Sequence, residues 1–199
     1  MCEQLRVSAV WPAENRRRHY RVGSWGRQTC DSFPHLVLCG LAVAIHVVLV
    51  HPEIHWNTGN SGRTCLAAGA TLHLIEPLGF SLDERQVKRA GLDYWEHVDL
   101  RVWQDWNSFE RELPNLGEPY FFSTEASRLL RDAPLGATPD VVLVFGRETR
   151  GLPPDLRGRY ADRFVAMPVL SPIVRSLNLS TSVAIAVYEV LRQRRTTTC

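Results

Sequence analysis

The sequence predicts an α/β domain built on a parallel sheet covered by helices on both faces. Three observations carry this. The runs His46–Val50, Thr71–Ile75 and Val141–Phe145 are short, β-branched and mostly apolar, as in strands buried on both sides. Segments of helical character alternate with them, as in β-α-β units. The chain closes with Leu177–Arg194, where Leu179, Val183, Ala186, Val187, Val190 and Leu191 form the apolar stripe of an amphipathic helix.

Composition sets the bounds. The chain has 199 residues, 45% of them apolar, which suits one domain with a sizeable core. A net charge of +2 is too small to coat nucleic acid without specificity, so any RNA binding needs a local patch. The five cysteines (Cys2, Cys30, Cys39, Cys65 and Cys199) are scattered and form no C-x-x-C pair. They predict neither a zinc site nor a disulfide framework, and they fit a reducing, cytoplasmic compartment. His51 and His55 have H-x-x-x-H spacing, but Pro52 between them argues against a helix aiming both at one metal, and no metal is expected. Most of the histidines read as surface or locally hydrogen-bonded residues.

Two parts are expected: a basic extension over residues 1–45 and a folded domain over 46–199. The first 35 or so residues carry six arginines against three acids and show neither helical nor strand periodicity, which reads as disorder. The apolar run Leu36–Val50 has 15 residues, short of the roughly 20 that cross a membrane. Ala42-Val43-Ala44 has the form of a signal-peptide cleavage site, but the basic stretch ahead of it is too long. A disordered or mis-started extension, a targeting segment and an RNA-touching arm all stay open for this part.

The elements follow in order. His46–Val50 is a strand ending before Pro52, Asn60–Ala68 a helix and Thr71–Ile75 a second strand. Leu82–Ala90 is a helix bearing Arg85, Lys88 and Arg89, and Tyr120–Phe122 is a third strand. Val141–Phe145 and Phe164–Ala166 are further strands, before the closing helix. In such a sheet, ligands bind beyond the carboxyl ends of the strands.

Three strand-following loops hold polar residues there. After the first strand, Asn57-Thr58-Gly59-Asn60 reads as a tight turn opening a helix, with Asn60 as its cap, amides facing an anion and Arg63 one turn in. The alternative is a plain turn with a solvated arginine. After Val141–Phe145 comes Gly146-Arg147-Glu148-Thr149-Arg150-Gly151, with Glu148 immediately beyond a buried strand and Gly146 able to approach a ligand closely, or else a surface loop. After Phe164–Ala166, Ser176 and Asn178 flank the start of the last helix, where capping is the simplest role. No G-x-G-x-x-G follows any strand and there is no Walker A sequence, which disfavours an NAD-type dinucleotide fold and the common Rossmann-type methyltransferases.

Taken together, these loops resemble the three motifs of the SpoU class of the SPOUT superfamily: N-x-G-N-x-x-R at Asn57–Arg63, F-G-x-E-x-x-G at Phe145–Gly151, and P-x(n)-S-L-N-L-S at Pro168 and Ser176–Ser180. His73–Phe80 and Lys88–Tyr94 are similar to the TrmL (YibK-like) subgroup, which methylates the wobble ribose, cytidine or uridine 34, of certain tRNAs. The likeness covers about residues 46–194, with two departures. The segment Val169–Arg175 is one residue longer and more apolar than the subgroup pattern, and Thr181 replaces a common Asn.

The resemblance implies a C-terminal deep trefoil knot, a homodimer and S-adenosylmethionine as methyl donor. It implies a cofactor pocket of Phe122, Gly146, Met167, Ser176 and Leu177, much of it contacted through backbone. It implies catalytic and RNA-side roles for Asn57, Arg63, Glu148, Ser176 and Asn178. tRNA binding is expected at Arg85, Lys88, Arg89, Arg147 and Arg150, with Trp56 or Tyr94 stacking on a splayed base. The proton acceptor stays open. The family mechanism often gives the role to the motif arginine, here Arg63, but guanidinium is a poor base, and the substrate phosphate or Glu148 are alternatives. Competing readings are the same chemistry on another RNA and a non-catalytic RNA-binding relative.

Overall fold

Six parallel strands form one sheet in a computed structural model that describes residues 44–82 and 94–196. The strands are β1 (Ile45–Val50), β2 (Thr71–Ile75), β3 (Leu100–Trp103), β4 (Glu118–Phe122), β5 (Val141–Phe145) and β6 (Phe164–Val165). Their spatial order is β3-β2-β1-β5-β4-β6, with every pairing parallel. The helices are α1 (His55–Ala68), α2 (Trp106–Glu110), α3 (Leu113–Leu116), α4 (Pro154–Arg159) and α5 (Leu179–Thr196). The expected extension over residues 1–45 lies outside the described residues apart from Ala44 and Ile45. The expected helix at Leu82–Ala90, with Arg85, Lys88 and Arg89, lies outside them beyond Leu82. Among the described residues no helix is long and apolar enough to cross a membrane.

Side-chain alternation along β1 and β5 splits the core in two. Val47, Leu49, Leu143 and Phe145 pack on one face with Cys65 of α1 and Val183, Val187 and Val190 of α5. Val48, Val50, Val142 and Val144 pack on the other with Trp106 and Phe109 of α2, Leu113 of α3 and Leu156 of α4. This two-sided burial is why these strands read as continuous apolar runs. β1 and β5 are neighbours, yet the helices that follow them lie on opposite faces, which opens a crevice at their carboxyl ends.

Two histidines of the strands pair inside the sheet. His46 and His73 are buried, and His46 Nδ1 lies 3.0 Å from His73 Nε2. Trp103 Nε1 donates to His73 Nδ1 at 3.0 Å. An indole N–H can only donate, so His73 accepts at Nδ1 and donates from Nε2 to His46. Burial holds His46 below its ordinary value, with Arg101 adding to the effect, and burial and then His46 hold His73 well below its own. The unfolded chain protonates both at their ordinary value of 6.5 and the folded chain does not. Stability is therefore full above pH 6.5 and falls as the pH drops from there toward the folded-state values. The slope reaches about 1.4 kcal/mol per pH unit for each histidine. Urea midpoints should be lower at about pH 5.5 than at about pH 7.5, and His73→Leu should flatten that difference while lowering both midpoints. An equal slope in wild type and variant would contradict the assignment.

Candidate functional site: a carboxylate that caps a helix from another loop

α1 begins five residues earlier than the sequence suggests. Asn57, Thr58, Gly59 and Asn60 lie inside the helix and do not form a turn ahead of it, and Asn60 is exposed and is not the cap. The physical reason is remote in sequence. Ile54 occupies the N-cap position and offers no capping side chain. Instead, Glu148 from the loop after β5 accepts from Glu53 N at 2.9 Å, Ile54 N at 3.3 Å and Asn57 Nδ2 at 2.9 Å. A carboxylate against the first amides of a helix satisfies open donors and complements the helix dipole. Glu148 is thus an anion at this helix start, bonded to the amides of Glu53 and Ile54 just ahead of His55.

The two loops clasp each other reciprocally. Glu53 accepts from Thr149 N at 3.1 Å and from Thr149 Oγ1 at 2.9 Å. Glu53 stands just beyond β1 as Glu148 stands just beyond β5, so the signal that marked Glu148 also marked Glu53, which the sequence reading passed over. Gly146 makes the β5 loop fit: a Cβ there would lie 2.1 Å from Gly151 C and 2.2 Å from Leu152 N. Gly151 closes the loop at φ +66°, and Arg147 and Gly151 exchange backbone hydrogen bonds.

The third loop joins through an amide chain. Asn178 Nδ2 donates to Asn57 Oδ1 at 2.9 Å, while Asn178 Oδ1 accepts from Ser180 N at 2.9 Å and caps α5. Glu148, buried Asn57 and Asn178 thus form one hydrogen-bonded line linking the loop after β5, the first turn of α1 and the loop before α5.

Arg63, eight residues past the start of α1, is exposed on the third turn, farther from the mouth than expected. Its guanidinium lies over the Tyr94 ring at 4.5 Å, and Tyr94 Oη donates to Gly59 O at 3.0 Å. Ser176 is exposed in the loop before α5. Phe122 at the end of β4 stacks on Phe145 with centroids 4.4 Å apart, and Phe122 and Met167 are both partly buried against the same core cluster. Leu177 is partly buried.

Of the basic residues, Arg150 is exposed, and Arg147 Nη2 sits 3.0 Å from His51 Nδ1. His51 has φ 53°, a left-handed conformation uncommon for a side chain of this size. Burial first, and then Arg147, lower its pKa, which suits Nδ1 as the acceptor of an arginine N–H. Among the described residues no group of three His, Cys, Asp or Glu side chains is placed to hold a metal.

The line lies at the carboxyl ends of parallel strands, where sheets of this kind bind ligands. The sequence model of the SpoU rRNA methylase family matches residues 44–188. The chain belongs to this family. It is 48% identical over 150 residues to the tRNA (cytidine(34)-2'-O)-methyltransferase of Burkholderia pseudomallei, covering 74% of this chain and 94% of that protein. It is similar to a solved structure described as giving insights into the 2-OH methylation of C/U34 on tRNA, at 42% identity and TM-score 0.70, covering 77% of this chain and 98% of that one. An AdoMet-bound rRNA methyltransferase from Sinorhizobium meliloti matches at 25% identity and TM-score 0.65, with 75% of this chain but 56% of that one covered.

Proposed function

We propose that this chain transfers the methyl group of S-adenosylmethionine to the ribose 2′-hydroxyl of nucleotide 34, a cytidine or uridine, in tRNA. The observation that carries this reading is the Glu148–Asn57–Asn178 line, which draws all three loops of the family pattern to one crevice. Near-complete coverage of the tRNA relative, against 56% of the ribosomal RNA enzyme, favours the small tRNA enzyme.

Phe122 and Met167, partly buried at the ends of β4 and β6, and partly buried Leu177 before α5 would form the apolar slot for the adenine ring. Gly146 and Ser176 complete the cofactor pocket through backbone and hydroxyl. When bound there, S-adenosylmethionine supplies a methyl group already activated on sulfonium. The protein's own work is to orient the ribose hydroxyl, exclude water and help its proton leave. Both Glu148 oxygens are engaged by three donors, so this carboxylate serves as an anchor and the proton passes to the substrate phosphate. Arg63 clamps that phosphate or the developing alkoxide with its planar fork. Asn57 and Asn178 hold the loops in register, and Ser176 stands on the cofactor side.

RNA reaches the crevice past Arg150 and Arg147, with Arg85, Lys88 and Arg89 as further phosphate contacts. The enzyme works as a cytoplasmic homodimer. Exposed Ile185 and Tyr188 on α5, with Leu66 on the adjoining α1, support an apolar contact for a second copy, which sedimentation would detect. The C-terminal deep trefoil knot belongs to the same reading. β5 inserted between β1 and β4 supports it, and stretching the denatured chain, with a contour shortened by a knot, checks it.

Arg63→Lys tests the clamp. It keeps the charge and loses the fork, and it should lower kcat/KM about 10- to 100-fold, the size of one charge-assisted bidentate contact. A near-normal rate would remove the bidentate role. A tRNA with 2′-deoxyribose at nucleotide 34 tests the whole reading: it should bind and accept no methyl group, and methylation at an unchanged rate would overturn it.

A further inference from the structure

Two aromatic residues, Trp56 and Tyr94, lie near the site, and the structure separates them. Tyr94 is engaged, its hydroxyl on Gly59 O and its ring face under Arg63. Trp56 sits in the first turn of α1 with half its surface open (52%). Its ring is backed by His55, with centroids 4.7 Å apart, and His55 is followed by Phe80 at 6.4 Å. This row is anchored: Gly79 N donates to Pro52 O at 2.9 Å, and Gly79 presses so close to the Glu53 backbone that a Cβ would meet its carbonyl oxygen at 2.6 Å. Trp56 is therefore carried by the helix end that Glu148 fixes, immediately before Asn57, while Asn57 points inward to Glu148 and Asn178.

Resting on the proposed function, we propose that Trp56, braced by His55 and Phe80, is the surface on which a nucleobase flanking nucleotide 34 stacks. Three features favour RNA over a protein partner here. Arg147 and Arg150 stand on the loop that Glu148 ties to the start of the helix carrying Trp56. Both nearby carboxylates, Glu53 and Glu148, are occupied by hydrogen-bond donors. A single-stranded anticodon loop presents unpaired bases, and every base has a face that can stack on an aromatic ring whatever its sequence. Stacking would fix the neighbouring base and thereby place the 2′-hydroxyl of the target.

The test uses the full chain and a labelled anticodon stem-loop RNA. Trp56→Ala should raise the RNA Kd and KM about 5- to 100-fold, Trp56→Phe should stay within a few-fold of wild type, and the slope of log affinity against log salt should not change. S-adenosylmethionine affinity should be unaltered. With an RNA made abasic at the stacked neighbour, wild type and Trp56→Ala should bind equally, which a merely structural role would not produce. Wild-type affinity in Trp56→Ala, or a loss that persists with an abasic site at each neighbour of nucleotide 34, overturns the stacking role while the proposed function stands. A shift of Trp56→Ala from dimer to monomer assigns the indole to a second copy and overturns it too. If wild type neither binds nor methylates the stem-loop or whole tRNA, both readings fall together.

Discussion

Glu148→Gln is expected to lower kcat/KM for tRNA about 100-fold, equivalent to about 2.7 kcal/mol. The isosteric amide cannot take over the role of the carboxylate. One Glu148 oxygen serves Ile54 N and Asn57 Nδ2 and the other serves Glu53 N, so whichever way the amide is turned, an NH2 group faces a donor. The negative charge at the start of α1 is lost as well, a further contribution of about 0.3–1 kcal/mol. Asn57 then loses the partner that orients it, and through Asn57 the effect reaches Asn178. Steady-state kinetics on tRNA check the prediction, and activity within about threefold of wild type would contradict it. The pH profile separates two roles for this residue. An anchoring Glu148 leaves the shape of the profile unchanged in the variant and lowers its height, whereas a proton-accepting Glu148 gives a variant whose profile loses its acid limb.

Gly146→Ala should be strongly damaging for so small a substitution. The added methyl would stand 2.1 Å from Gly151 C and 2.2 Å from Leu152 N, and both are backbone, so no flexible side chain can yield. The loop must move, and Glu148 moves with it. A cost of about 3 kcal/mol corresponds to a fall in Tm of about 10 °C for a domain of this size. Binding of S-adenosylmethionine, followed by calorimetry, should weaken at least about tenfold if the protein survives purification. Gly158→Ala is the matched control. It lies in α4, a Cβ there meets nothing within 4 Å, and replacing glycine in a helix should stabilise by about 0.5–1 kcal/mol. Equal melting temperatures for the two variants would contradict the close approach of the loop at Gly146.

How much of this could be read from the sequence depended on whether the cause was local. β1, β2 and β5 are legible because burial on both faces writes itself as unbroken apolar runs. β3 is not: it is an edge strand of four residues with Arg101 in it and Val102 half exposed, so no run marks it. α2 and α3, at five and four residues, are too short to display a helical period, although Asp105 accepting from Ser108 N is a local cap that could have announced α2. The start of α1 was misread for a different reason. Asn57-Thr58-Gly59-Asn60 looks like a turn, and the group that stabilises the helix start lies more than 90 residues away on Glu148. The three loops were legible as motifs, and Glu148 as a charge placed just beyond a buried strand. The line through Asn57 to Asn178 exists only in the folded chain. His46 and His73 stand in runs that read as buried strands, but the hydrogen bond by which each satisfies the other exists only in the folded chain.

The most direct test of the central claim is the fate of a labelled methyl group. Purified protein, tritiated S-adenosylmethionine and total tRNA are incubated together, and the RNA is digested and its nucleosides mapped. The account predicts label in 2′-O-methylcytidine or 2′-O-methyluridine at the wobble position, and its loss in Glu148→Gln. Label on a base, on a ribose at another position, or on ribosomal RNA alone would contradict it.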